Sequence, residues 1–142
     1  MKKIHLLTFL LAAFTFTTQA QSVLGKWKTI DDETGKEKSI VQIYEEKGIV
    51  YGKIVSLLEK DKKSLKCTAC TGNDKNKPLE GLVIIKDLQK DGDQWNGGKI
   101  LDPKTGKQYK CYITLEDANK LKVRGYIGVA LMGRTQYWHR VE

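Results

Sequence analysis

The sequence predicts an all-β domain of eight antiparallel strands in up-and-down order, closed into a barrel. Three observations carry that expectation. From residue 21 onward the apolar residues recur with a period near two, as in strands whose alternate side chains face opposite sides of a sheet. Turn signals such as Asp91-Gly92 and Pro103 to Gly106 interrupt the pattern about every 8–12 residues, the rhythm of short antiparallel strands. No stretch of this region shows a capped apolar repeat of helical period. Eight open-edged strands would invite pairing with other chains, and closure removes the edges.

The first strand reads as Gly25 to Ile30 and ends in Asp31-Asp32-Glu33-Thr34-Gly35; the second, Ser39 to Glu45, ends at Lys47-Gly48; the third is Ile49 to Leu58. A long polar segment, residues 59–81, then interrupts the rhythm and carries Cys67 and Cys70. Its best helical chance is a short turn around Glu59 to Leu65. Strands resume with Leu82 to Leu88, Gln94 to Leu101, Lys107 to Leu115 and Lys120 to Ile127. A bend through Gly128 and Gly133 leads to the last, Arg134 to Val141. Gly accepts positive φ and Pro presets the first corner, so the intervening Asp-Gly and Pro-x-x-Gly pairs work as turns. On the sixth strand Tyr109, Cys111, Ile113 and Leu115 share a side and should face inward. The last strand is ambiguous: Arg134, Gln136, Trp138 and Arg140 share one side, and Thr135, Tyr137, His139 and Val141 the other. Either choice buries polar groups that need partners inside.

Ahead of the barrel, Lys2 and Lys3, the apolar run Ile4 to Phe16 and the small residues of Thr18-Gln19-Ala20 read as a signal peptide spanning residues 1–20. The run falls short of the ~20 apolar residues of a membrane-spanning helix, and no second such run follows. Gln21, not Cys, follows the expected cut, which argues against a lipid anchor. Residues 21–142 are therefore expected to be one exported domain, periplasmic or secreted, monomeric, with no transmembrane segment. A domain of this length can bury a sizeable core, so disulfides are optional. The chain carries a net charge of +8, or +6 without Lys2 and Lys3. The lysines are scattered among acids, which suits a solvated outer face or attraction to an anionic envelope component. No Lys/Arg run interleaved with aromatics marks a nucleic-acid module.

Cys67-Thr68-Ala69-Cys70 has three readings: a structural disulfide closing a small ring, a redox pair, or half of a metal site. Export to an oxidising compartment favours the disulfide. The redox reading lacks a following helix, and the metal reading has only Cys111 and His139 as further soft ligands. Cys111 itself reads as a buried free thiol acting as a small hydrophobe, with a disulfide to Cys67 or Cys70 as the lesser alternative. Trp27, at the barrel's entry, can stack under an arginine from the last strand, either Arg140 or Arg134. His139 reads as a partly buried strand residue, with no nucleophile in a triad context. The glycine-dense stretch Gly125 to Arg134 reads as a barrel corner, or as an apolar lip, Val129 to Met132, over a cavity mouth.

Nucleophile–base pair, complete metal set and phosphate loop are all missing from the sequence, so neither an enzyme nor a cofactor is expected. The expected role is binding a small, partly apolar or anionic molecule in the barrel. Arg124 and Arg134 are the candidate anion anchors, and Tyr44, Tyr126 and Trp138 the candidate walls. The alternatives are a cell-envelope interaction module with a packed core, and a thiol redox or metal accessory protein acting through the Cys67–Cys70 loop.

The opening Gly25-Lys26-Trp27 resembles the start of calycin barrels, the lipocalins and their relatives. A longer resemblance runs through Tyr51-Gly-Lys-Ile54, Cys67-x-x-Cys70, Asn76-Lys-Pro78-Leu-x-Gly81, Gly97-Gly-Lys-Ile-Leu-Asp-Pro103, Leu121-x-Val-Arg-Gly-Tyr-Ile-Gly128 and Gly133-Arg-Thr-Gln-x-Trp138. These ordered blocks resemble the bacterial domain-of-unknown-function family 2147 across nearly the whole mature chain. The resemblance implies a small exported bacterial protein and brings no activity with it.

Overall fold

In a computed structural model that describes residues 21–141, eight antiparallel strands close into a single up-and-down barrel. They are β1 (Gly25–Ile30), β2 (Glu37–Glu46), β3 (Ile49–Leu57), β4 (Val83–Asp91), β5 (Gln94–Leu101), β6 (Gln108–Asp117), β7 (Lys120–Tyr126) and β8 (Gly133–Arg140). The signal-peptide reading falls on residues 1–20, outside the described residues. No helix among the described residues is long and apolar enough to cross a membrane. The helical turn expected around Glu59 to Leu65 is a 3-10 turn at Lys60–Lys62, and a second lies at Gly72–Asp74.

The largest departure from the expected boundaries is β4, which continues three residues past Leu88. Asp87 has a left-handed backbone (φ 63°), and the register shifts so that Ile85 pairs with Gly52 and Leu88 with Val50. This bulge breaks the period-two alternation that sequence reading follows. It also presses on β5. A Cβ on Gly98 would collide with the backbone of Lys86 and Asp87, so the Gly97-Gly98 pair leaves room for one strand to bend over its neighbour.

Side-chain alternation packs the interior. Trp27, Ile43, Ile85, Leu88, Ile113 and Trp138 are each at most 2% exposed. Cys111 and Ile113 face inward as their parity requires, with Cys111 a free buried thiol. The ambiguous last strand turns its Gln136–Trp138–Arg140 side inward, and its polar groups find partners there. Trp138 Nε1 donates to Gln136 Oε1 at 3.0 Å, and Gln136 Nε2 donates to Asp32 at 2.7 Å. Thr29 and Ser39, both buried, share a hydroxyl hydrogen bond of 2.7 Å. No buried side-chain polar atom among the described residues lacks a partner.

The base of the barrel is closed by Arg140. β1 and β8 pair at only two positions, Trp27 with Arg140 and Lys28 with His139. The guanidinium carbon lies 4.2 Å from the centroid of Trp27, which settles the pairing left open above in favour of Arg140. Its nitrogens donate to the carbonyls of Ser22 (2.6 Å), Leu24 (3.0 Å) and Ala118 (2.8 Å), tying the amino-terminal segment and the β6–β7 turn to the seam. Trp27 Nε1 donates to Val23 O at 2.8 Å. Gly25 is required here twice over: its φ is +126°, and a Cβ would sit 2.9 Å from the Arg140 guanidinium.

The opposite end carries the β1–β2, β3–β4, β5–β6 and β7–β8 connections. The first and third share the sequence Asp-x-x-Thr-Gly-Lys and the same bonds: Asp31 pairs with Lys36 and Gly35, and Asp102 with Lys107 and Gly106. The long β3–β4 connection folds against the outer wall. Lys66 bridges Pro78, Cys67 N donates to Lys77 O at 2.8 Å, and Asn76 N donates to Cys67 O at 2.9 Å. Within it Cys67 and Cys70 form a disulfide, with Cys67 0% and Cys70 3% exposed.

Candidate functional site

The five residues that the sequence offers as ligand contacts do not converge on the lumen. Trp138 is part of the packed interior. Arg134 stands at the open rim, 78% exposed, 3.6 Å from Asp32. Arg124 and Tyr126 alternate with inward-facing Leu121, Val123 and Gly125 and therefore lie on the outer wall of β7. Arg124 donates to Ala130 O and to the Thr135 hydroxyl, both at 2.8 Å. Tyr44 lies on the outer wall of β2, since Val41 and Ile43 take the inward positions. His139, expected to be partly buried, is exposed because it shares the outward parity of Thr135 and Tyr137.

Two cavities stand out among the described residues, and neither is enclosed by the lumen. One, of about 250 Å³, lies at the base between the amino-terminal segment, the Lys47-Gly48 turn and Trp95 at the start of β5. The other is a groove of 340 Å³ on the outer wall, between β2–β4 and the folded-back β3–β4 connection. One side is aromatic: Tyr44 and Tyr51, paired across the tight Lys47-Gly48 turn, stack with centroids 5.7 Å apart. Leu82 and Val83 continue that side. The other side is charged. Lys86 Nζ lies 2.9 Å from one oxygen of Asp74, and Lys77 Nζ 3.3 Å from the other.

The hydrogen bond from Lys86, more than the burial that opposes it, holds the Asp74 carboxyl below the usual carboxylate range. Desolvation raises the Tyr44 phenol above its ordinary value, with Glu46 and Tyr51 adding to it, so Tyr44 stays a neutral donor. Lys53 Nζ stands 5.6 Å from the Tyr44 ring. Such a groove can hold a flat, partly apolar group against the tyrosines and a charged group against the lysines. It contains no nucleophile poised beside a base.

Sequence reading reached one member of this groove, Tyr44. Tyr51 was within reach, because a two-residue turn at Lys47-Gly48 places residue 44 opposite 51. Asp74, Lys77 and Lys86 carried no local signal, since the path of a long connection brings them together. Elsewhere, no three His, Cys, Asp or Glu side chains among the described residues are grouped to hold a metal ion. Burial pushes the Cys111 thiol up to about 12.

Residues 25–140 match the family described as uncharacterized protein conserved in bacteria (DUF2147). The chain belongs to this family. The DUF2147 barrel is similar in fold to a solved Helicobacter pylori protein described as belonging to the lipocalin family. The two are 23% identical, with a TM-score of 0.77 over 87% of this chain and 85% of that one. This likeness establishes a lipocalin-like barrel for the DUF2147 protein. Among curated proteins, none matches the chain.

Proposed function

We propose that this DUF2147 protein is an exported, non-catalytic binding protein that takes a small, partly apolar molecule bearing an anionic group in the Tyr44–Tyr51 groove. The carrying observation is the 340 Å³ volume between a stacked tyrosine pair and the Lys77–Asp74–Lys86 cluster. Ligand pockets usually begin at about 300 Å³ and combine an apolar wall with a few convergent polar groups. The lipocalin-like fold lends support as analogy only, since fold does not fix function. Export rests on the leader-like composition of residues 1–20, and amino-terminal sequencing of the secreted or periplasmic protein should then begin at Gln21.

Native mass spectrometry of protein purified from the bacterial envelope tests the reading. The wild type should carry a small-molecule adduct that Tyr51→Ala and Lys86→Gln each lose while remaining folded. An adduct retained by both variants would overturn the groove.

A second reading, an envelope interaction module, is favoured by the packed interior, in which Trp27, Ile43, Ile113 and Trp138 are each at most 2% exposed. An adduct-free wild type would turn the account toward it.

A further inference from the structure

The β7–β8 hairpin ends in an anomaly. Ile127, Val129, Leu131 and Met132 are 66%, 63%, 91% and 68% exposed, clustered on one tip. Scattered exposed apolar residues need no explanation, but a contiguous group does. The tip is held in shape. Ile127 N donates to Met132 O and Met132 N to Val129 O, both at 3.0 Å. Arg124 and Lys110 donate to the carbonyls of Ala130 and Gly128 from the wall below.

That wall is basic. The outward positions of β5–β7 hold Lys99, Lys110, Lys120, Lys122 and Arg124, with Lys99 paired to Lys110, Tyr112 to Arg124, Thr114 to Lys122 and Asp117 to Lys120. None of these five forms a salt bridge among the described residues, although lysines elsewhere on the barrel do. Tyrosines alternate with them: Lys110 pairs with Tyr126, and Lys122 with Tyr137. Lys120 Nζ lies 4.6 Å from the Tyr137 ring, and Lys122 Nζ 5.8 Å from that of Tyr112. An unneutralised cationic face with interleaved tyrosines, running into an apolar tip, is matched in order by the layers of an anionic bilayer. Phosphates attract the lysines, the interface accommodates tyrosine, and the hydrocarbon boundary takes the tip. A soluble polyanion would leave the four apolar side chains in water.

We propose that the β7–β8 tip and the basic β5–β8 wall form a docking surface for an anionic phospholipid bilayer, with Leu131 and Met132 inserted below the headgroups. The surface is independent of the Tyr44–Tyr51 groove.

Co-sedimentation with vesicles of phosphatidylcholine, with and without 30 mol% phosphatidylglycerol (about a third anionic lipid, enough to set up the surface potential), tests the proposal. The full domain should bind anionic vesicles at least about tenfold more tightly than neutral ones, and lose about fivefold for each of Lys110→Gln and Lys122→Gln. The doubly substituted tip, Leu131→Ser with Met132→Ser, should lose about tenfold or more. These side chains are 91% and 68% exposed, so thermal melting should report an intact fold.

Insertion is read separately from Leu131→Cys carrying an environment-sensitive dye. Cys111 is buried and Cys67–Cys70 is bonded, so the new thiol labels alone in the native protein. Its emission should rise and shift blue on anionic vesicles. A tip variant that binds as well as wild type, with the dye remaining in water, would reduce the contact to a soluble-polyanion type and overturn the proposal. Self-association abolished by the tip substitutions, without vesicle binding, would assign the tip to a second copy and overturn it equally.

Discussion

Replacing Arg140 with alanine removes, in one step, the contacts that tie the amino-terminal segment and the β6–β7 turn to the β1–β8 seam. Three backbone carbonyls lose their donor, and the face of Trp27 loses its cation. The bond to Leu24 O is partly buried and should contribute about 1.5 kcal/mol, as a charged donor in a desolvated place. The bonds to Ser22 and Ala118 are solvent-exposed and should contribute about 0.5 kcal/mol each. Stacking on the fully buried Trp27 adds about 1 kcal/mol. The expected loss is about 3–4 kcal/mol, or roughly 10–15 °C in Tm for a domain of this size.

Arg140→Lys separates charge from geometry. A single ammonium cannot reach three carbonyls spread over the amino-terminal segment and the β6–β7 turn, so it should recover no more than about a third of the loss. Urea unfolding followed by circular dichroism gives both values. A loss below about 1 kcal/mol for alanine, or full recovery with lysine, would refute the argument that a planar, many-donor guanidinium closes the seam.

Four further outcomes follow from the same structure. Gly25→Ala should destabilise by about 2 kcal/mol or more in the same urea assay, since it forces a Cβ into both a positive-φ backbone and the Arg140 guanidinium. Cys111 should resist alkylation in the native protein and react only after global unfolding. Because its thiol pKa is raised, its contribution is complete below the unfolded value near 8.5–9 and declines as pH rises toward about 12, by up to about 1.4 kcal/mol per pH unit; Cys111→Ala should remove that component of the alkaline decline in a wild-type comparison. Asp74 is depressed, so its contribution is present above the ordinary carboxylate value and lost as pH falls through its folded value; Asp74→Asn should flatten that acid limb and, by freeing Lys77 and Lys86, tighten binding of an anionic groove ligand in calorimetry. Cys67→Ser with Cys70→Ser should cost about 2 kcal/mol, as a small ring predicts, and the wild-type disulfide should survive mild native reduction because both cysteines are buried.

The barrel was legible because its signals are local. Period-two alternation located every strand, and Asp-Gly or Asp-x-x-Thr-Gly-Lys turns marked three of the seven connections. Parity alone put Cys111 inward. β8 resisted, since both of its faces mix polar and apolar residues; the inward choice works only because Gln136 finds Trp138 on its own strand and Asp32 across the mouth. The candidate site was much less legible. Arg124 was read as an anion anchor, and Tyr126 and Tyr44 as pocket walls, from residue type, although on β7 the parity of Leu121 and Val123 already turns Arg124 and Tyr126 outward. The groove's charged half depends on where a 25-residue connection between β3 and β4 returns to the wall, and short-range patterning does not encode that path. The apolar lip was visible as Val129 to Met132, but its exposure and its basic foundation required the folded sheet.

The barrel's interior is a packed core, which leaves the outer surface for the proposed binding. Methyl NMR under xenon pressure tests it most directly, because xenon enters dry apolar voids of modest size. Methyl resonances of Ile43, Ile113 and Leu121 should show no saturable shift, as residues without a void beside them. Saturable shifts at those three would reveal a hollow lumen and return the binding site to the inside of the barrel.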